Sequence, residues 1–274
     1  MRSAWKGAIS FGLVHIPCRL YPATTEHDVH FRQLHAECHT PLQYRRTCPR
    51  CEAVVPPDHI ARGFEVGPDE FVQISDDDLA ALPLATTRTV EILDFVHLAT
   101  VDPLFFERSY YVGPAEGGAR PYALLRAVLL RSQRAAVAKV AMRAKESLAL
   151  VRVTAAEAGP GCLTLELMRY PDEIRAWGEV DGLPGDLPLP AREIEVATML
   201  VESMTGSWEP ERYHDAYAEA LRELIAARAA GGQSTVAAGP ETVPAGRYSD
   251  LLAALEASVR QAEAARAHPP GPAQ

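Results

Sequence analysis

Long apolar runs are missing from this 274-residue chain. No stretch of about 18 or more apolar residues is available to span a bilayer, and no leading apolar segment with a small-residue cleavage site opens it. Cytoplasmic residence is the expectation. Lysine is nearly absent, with three residues against 24 arginines. The five cysteines are an odd number and four of them fall in the first 51 residues, which argues against a secreted disulfide framework and leaves metal binding open. Catalytic motifs are missing as well: there is no P-loop, no G-x-S-x-G elbow, no H-E-x-x-H and no G-x-G-x-x-G after a strand. His15, His27, His30, His59, His97 and His214 are scattered, with no carboxylate or nucleophile at a telling spacing. Asp76, Asp77 and Asp78 read as a solvated helix start, because adjacent carboxylates point in different directions. An enzyme is not expected.

What the chain does have is enough apolar material, 47% of its residues, to bury a full core in one larger domain with an extension. Its formal net charge of −9 disfavours phosphate recognition as a whole-molecule property, but the charge is unevenly spread. Eight basic residues (Arg120, Arg126, Arg131, Arg134, Lys139, Arg143, Lys145 and Arg152) and one acid, Glu146, lie between Arg120 and Arg152. That window carries +7 and the remainder −16. From Glu65 to Glu107 ten acids face only Arg88, a segment of −9 that cannot follow a phosphate backbone. One cationic face with acidic outer surfaces reconciles the two.

Periodicity places an opening strand over Ala8 to Ile16 and further strands over Val29–Leu34, Phe64–Ile74 around a Gly67-Pro68-Asp69 turn, Thr89–Phe95, Arg108–Val112, Ala135–Met142, Leu148–Thr154 and Cys162–Met168. Asp76 to Leu82 reads as one or two helical turns. Pro121 at a first helical position starts a helix ending near Gln133. After the Pro- and Gly-rich stretch Gly182 to Pro190 come two helices, Ala191–Thr205, stopped by Gly206, and Glu211–Ala229. The class is therefore α+β, most economically a β-barrel with a helical arm. The division is a barrel core over 1–182, a helical arm over 183–230, and a flexible linker with a short partner-docking helix over 231–274. The linker, Gly231 to Gly246, is rich in Gly, Ala, Pro and Thr. Beyond it Leu251, Leu252, Leu255 and Val259 form an apolar stripe, with Ser249 or Asp250 as its cap. With little core to join, that helix is expected to dock on another protein.

Two ligand pairs stand out. His35-Ala-Glu-Cys38 and Cys48-Pro-Arg-Cys51 are separated by nine residues, and each has the spacing at which a tight knuckle presents two ligands to one tetrahedral ion. His39 competes with His35 as the first ligand. Four protein ligands would leave no open position for water, so Zn2+ here is expected to be structural, contributing up to ~10–16 kcal/mol by analogy with zinc fingers. Arg45, Arg46 and Arg50 lie on or beside this hairpin, and guanidinium groups suit phosphate oxygens.

The segment Met1-Arg-Ser-Ala-Trp5-Lys6-Gly7-Ala-Ile9-Ser10-Phe11-Gly12-Leu13-Val14-His-Ile16-Pro17 resembles the N-terminal signature of prokaryotic Ku proteins. Val54–Ile74, Val90–Phe95, Val101-Asp102-Pro103, Phe106-Glu-Arg-Ser-Tyr110-Tyr111, Tyr170-Pro171-Asp172-Glu173-Ile174-Arg175 and Tyr213-His214-Asp215 with Tyr217 are similar to further landmarks of that family, in its order. The resemblance implies a Ku-type, SPOC-like β-barrel with a helical arm over 183–230 that serves dimerisation, as a cytoplasmic, nucleoid-associated homodimer. Its ring would encircle double-stranded DNA ends independently of sequence and recruit a multifunctional ATP-dependent DNA ligase for non-homologous end joining, with no chemistry of its own. A ring contacts sugar and phosphate without reading bases, so threading over a free terminus supplies the selectivity. The resemblance puts the His35 to Cys51 hairpin at the DNA-embracing bridge. Arg45, Arg46 and Arg50 are then the first DNA contacts, Lys139, Arg143 and Lys145 the next, with Arg131 and Arg134 from the cationic window. It likens Asp250 to Ala257 to the family's ligase-docking region. Unlike longer members of that family the chain has no Lys-rich tail, which counts against an extra DNA contact beyond the ring. The alternative is a general zinc-ribbon nucleic-acid-binding protein.

Overall fold

The computed structural model describes residues 1–82, 88–142, 145–154, 159–231 and 251–267, which fall into two compact units, 1–27 with 31–179 and 28–30 with 180–274. The first unit is built on a closed barrel of seven strands. They are β1 (Trp5–Phe11), β2 (Val14–Pro22), β5 (Thr89–His97), β6 (Phe106–Pro114), β7 (Arg134–Met142), β8 (Lys145–Thr154) and β9 (Cys162–Met168), in the order β1-β2-β6-β9-β8-β7-β5. Every pairing is antiparallel except the one that closes the circle, where Ala8, Ile9 and Ser10 of β1 meet Thr89, Val90 and Glu91 of β5 in parallel.

The opening segment is a hairpin and not one interrupted strand. Gly12 takes φ 56° in the turn between Phe11 and Val14, a left-handed conformation open to glycine at no steric cost. Pro17 lies within β2 opposite Ala8, just before the β6 ladder starts at Cys18; its carbonyl accepts from the Ala115 amide at 2.8 Å, and at this ladder end a missing N–H costs least. Gly7 is demanded by the closure itself: a Cβ there would lie 2.1 Å from the Arg88 carbonyl oxygen and 2.3 Å from the Trp5 ring.

Alternating residues of these strands point inward. Ile9, Ile16, Leu20, Val90, Val140, Val151, Leu163 and Leu165 are fully buried in one cluster, which α2 (Ala119–Ser132) completes with Tyr122, Leu125 and Leu129. The Tyr122 hydroxyl accepts a hydrogen bond from the Leu163 amide at 2.9 Å, satisfying the one polar atom that this aromatic brings inside. A smaller cluster of Ala135, Leu150 and Met168 collects Val96, Phe105 and Phe106 around it. Helix α2 ends at Gln133, whose φ of 53° makes the left-handed cap.

Between β2 and β5 the chain leaves the barrel. It forms the loop carrying the two ligand pairs, then a separate two-stranded sheet of β3 (Arg62–Gly67) and β4 (Glu70–Ile74), and the short helix α1 (Asp76–Ala81). Asp69 turns the β3–β4 hairpin at φ 60°. Asp78 closes a capping box with Ser75, so the acid run does begin a helix. The strand expected over Val29–Leu34 is not formed: Leu34 makes only an isolated bridge to Pro41, because the backbone there is committed to a knuckle.

The second unit holds three helices, α3 (Ala191–Met204), α4 (Ala216–Ala229) and α5 (Leu251–Ala267). Helix α3 stops at Thr205 in extended conformation, one residue before the expected glycine. Helix α4 starts later than expected, at Ala216, where Asp215 caps it by accepting from the Ala218 amide at 2.9 Å. The C-terminal stripe does find a core of its own: α5 packs on α3, with Val259 and Val196 buried, Leu252 and Leu255 half-buried, and Arg192 3.9 Å from Glu256. Ser249 and Asp250 lie outside the described residues, as does the side chain of Leu251. No described helix is long and apolar enough to cross a membrane.

Candidate nucleic-acid interface

The loop with the two ligand pairs is built by one pattern used twice. In the first copy the His35 amide donates to the Thr40 carbonyl at 2.9 Å, the His39 amide to His35 at 2.8 Å, and the Leu42 amide to Gln33 at 3.0 Å. In the second, Cys48 donates to Ala53 at 2.9 Å, Glu52 to Cys48 at 2.8 Å, and Val55 to Arg46 at 2.8 Å. Bridges Leu34↔Pro41 and Thr47↔Val54 close the two. His39 and Glu52 take the left-handed conformation at φ 56° and 54°. Each of Arg46, Cys48 and Glu52 lies thirteen residues after its counterpart Gln33, His35 and His39.

Within each knuckle the ligand atoms are adjacent. His35 Nδ1 is 3.0 Å from Cys38 Sγ, and Cys48 Sγ is 3.6 Å from Cys51 Sγ. The Thr40 hydroxyl and then the His35 ring hold the Cys38 thiol down at about 7. The Cys51 and Arg50 amides lower Cys48, while hydrogen bonding and charge from Cys48 raise Cys51. Among the described residues, however, no three His, Cys, Asp or Glu side chains gather closely enough to hold an ion. Each pair fits half of a tetrahedral shell, and the four side chains are not gathered into one.

Arg45 lies in the connector between the knuckles, Arg46 opens the second knuckle and Arg50 lies inside it. All three are exposed, and none forms an ion pair among the described residues. Arg131 stands in the last turn of α2 and Arg134 at the first position of β7, both exposed and also without an ion pair there. Arg134, Arg152, His97 and Gln133 line a cavity of about 490 Å³ at this end of α2.

The rest of the cationic window is less available than its +7 suggests. Lys139 Nζ is 2.9 Å from Glu146, which raises the lysine pKa, and Lys145 is 4.0 Å from Glu173. Arg126 donates to the Gly161 carbonyl at 3.2 Å. Arg152 is drawn into the barrel wall by Glu166. Arg143 lies outside the described residues. Sequence reasoning missed this wall network, in which Ser109 also donates to Glu166, Arg152 Nη1 to Thr154 at 3.1 Å, and Thr154 and Thr164 share a hydrogen bond at 2.5 Å. One signal was present: Thr164 and Glu166 alternate with Leu163 and Leu165 in a strand apolar enough to be covered on both sides.

Comparison with known proteins places the chain. The family model described as the Ku70/Ku80 beta-barrel domain matches residues 10–198. A protein of Symbiobacterium thermophilum named non-homologous end joining protein Ku is 46% identical over 268 residues, covering 97% of this chain and 65% of its own length. Proteins of the same name from Heliobacterium modesticaldum and Bacillus subtilis are 40% and 37% identical, over 95% and 94% of this chain and 92% and 82% of theirs. Among solved structures, the SPOC domain of human PHD-finger protein 3 overlaps 61% of this chain and 95% of its own at 16% identity and a TM-score of 0.29, too low to bear on the fold. With six of its seven barrel strands and the end of β1 inside the matched span, and relatives of one name aligned over nearly its whole length, this chain belongs to the Ku family.

Proposed function

We propose that this chain binds double-stranded DNA ends in break repair, as a homodimeric ring that acts without making or breaking bonds and recruits an ATP-dependent DNA ligase for end joining. The observation that carries the reading is its membership of a family whose compared relatives are named for non-homologous end joining. Physical features support it. Arg45, Arg46, Arg50, Arg131 and Arg134 are exposed guanidiniums free to meet phosphate oxygens, a contact that positions a protein on a duplex without reading sequence. Two copies would double that charge around one duplex. We read His35, Cys38, Cys48 and Cys51 as ligands of a structural Zn2+, and α5 as a ligase-docking element that would have to leave α3 to offer its apolar stripe.

Competition between linear and covalently closed duplex of one sequence tests the central claim. Preference for the linear form, with a native mass of two chains on a short blunt duplex, is the expected result. Equal affinity for both forms would sink it.

A further inference from the structure

The knuckle repeat decides a point that spacing leaves open. His35 corresponds to Cys48 and Cys38 to Cys51, whereas His39 corresponds to Glu52 in the left-handed position after the second ligand. His39 is therefore the turn residue and His35 the donor, giving three thiols and one imidazole, a set suited to a thiolate-seeking divalent ion such as Zn2+. The atoms within each knuckle are 3.0 Å and 3.6 Å apart. Donors around 2.0–2.3 Å from a tetrahedral ion stand roughly 3.4–3.8 Å from one another, so each pair needs little rearrangement. What does need to move is one pair relative to the other, since no three such groups are gathered among the described residues. The nine residues between Cys38 and Cys48 include Arg45 and Arg46, and the second knuckle contains Arg50.

We propose that residues 33–55 form a divided metal site, two preformed halves that one Zn2+ draws together, so that metal capture and the ordering of Arg45, Arg46 and Arg50 are a single event. This rests on the zinc reading above and adds to it that the metal governs the basic loop. As the ion binds, the three thiols lose their protons to solvent and the four donors replace the waters that the ion brought, with no change of oxidation state. Without metal the two knuckles keep their own hydrogen bonds but not their mutual position, and the three guanidiniums are spread over many arrangements. With it, they form one patch.

The test uses the full-length chain and needs no DNA for its first half. Metal-free protein is titrated with Zn2+ while amide exchange is followed over 33–55, and with Co2+ while visible absorption is recorded, for the native sequence and for Cys38→Ser and Cys51→Ser, one from each half. The expected result is one ion per chain, tetrahedral thiolate-bound Co2+ absorption, protection gained across both knuckles together, and loss of all three in either variant. Protection confined to one knuckle, metal uptake unchanged by either variant, or no stoichiometric uptake overturns the proposal. So does one ion per two chains, which would join halves from separate copies. Binding to a linear duplex is then measured with and without Zn2+, and is expected to weaken on metal removal. Unchanged affinity refutes control of the basic loop. A chain that gains ordered knuckles yet fails to prefer linear over closed duplex refutes the end-binding reading and leaves the divided site standing.

Discussion

Arg152 and Glu166 are locked together in the barrel wall, with Nη2 and Nε of the guanidinium 2.6 Å and 2.8 Å from Glu166 Oε1 and the carboxylate only 2% exposed. They sit diagonally across β8 and β9, since Arg152 pairs with Thr164 and Leu150 with Glu166. Removing the guanidinium leaves a buried carboxylate with, among the described residues, the Ser109 hydroxyl as its remaining side-chain donor. Arg152→Met is expected to destabilise the chain by about 3–5 kcal/mol, read by urea unfolding. Arg152→Met with Glu166→Leu should recover a large part, since the loss comes from the stranded charge.

Closure of the barrel depends on the absence of a side chain at Gly7. A methyl group there meets the Arg88 carbonyl, an atom fixed by the hydrogen bond it accepts from the Ala8 amide at 3.1 Å. Gly7→Ala is expected to cost at least about 1–3 kcal/mol, with exchange protection falling first in β1 and β5. Gly178→Ala, where a Cβ meets nothing within 4 Å, should change thermal stability little.

Alkaline sensitivity should come from the core. Burial pushes the Cys18 thiol from 9.0 up to about 11, so the unfolded chain gives up this proton before the folded one does. Stability from this group is complete below pH 9 and is lost as pH rises towards and past 11, a loss of at most about 2–3 kcal/mol. Burial also raises the pKa of Tyr122, which adds to the same limb. Cys18→Val is expected to flatten the decline of melting temperature over that window. An unaltered slope would place the sensitivity elsewhere.

The knuckle connector makes its own prediction. Arg45→Glu with Arg46→Glu should weaken binding to a linear duplex and reduce the slope of log affinity against log salt by about 2, the share of two phosphate contacts. The same reversal at Lys139, already paired with Glu146, should alter the slope less.

How far these features could be read in advance depends on how local their causes are. β9 was legible to the residue because Leu163, Leu165 and Leu167 alternate with Thr164 and Glu166 through Cys162–Met168, and the β3–β4 turn because Asp69 follows Gly67-Pro68. The β1–β2 hairpin was not, because the Gly12-Leu13 turn is only two residues long and Pro17 argues against the strand it lies in until its partners are known. Pairing of cations escaped charge counting for the same reason: Glu146 lies within the window, but Glu166 and Glu173 come from segments that the fold alone brings beside Arg152 and Lys145. The α5 stripe was visible, its landing place on α3 was not, since an amphipathic face shows that a partner is needed without saying whose chain supplies it.

The parallel seam between β1 and β5 sets the order in which this chain can be made. Strand β1 finds β2 at once, but its other edge must wait for Thr89 to Glu91, so during synthesis an open edge precedes every later strand. The knuckles and the β3–β4 hairpin are made in that interval from local contacts, whereas the seam needs a loop of nearly eighty residues to close, the slow kind of pairing in a nascent protein. Lengthening residues 23–88 should delay maturation of the barrel while leaving its finished register intact.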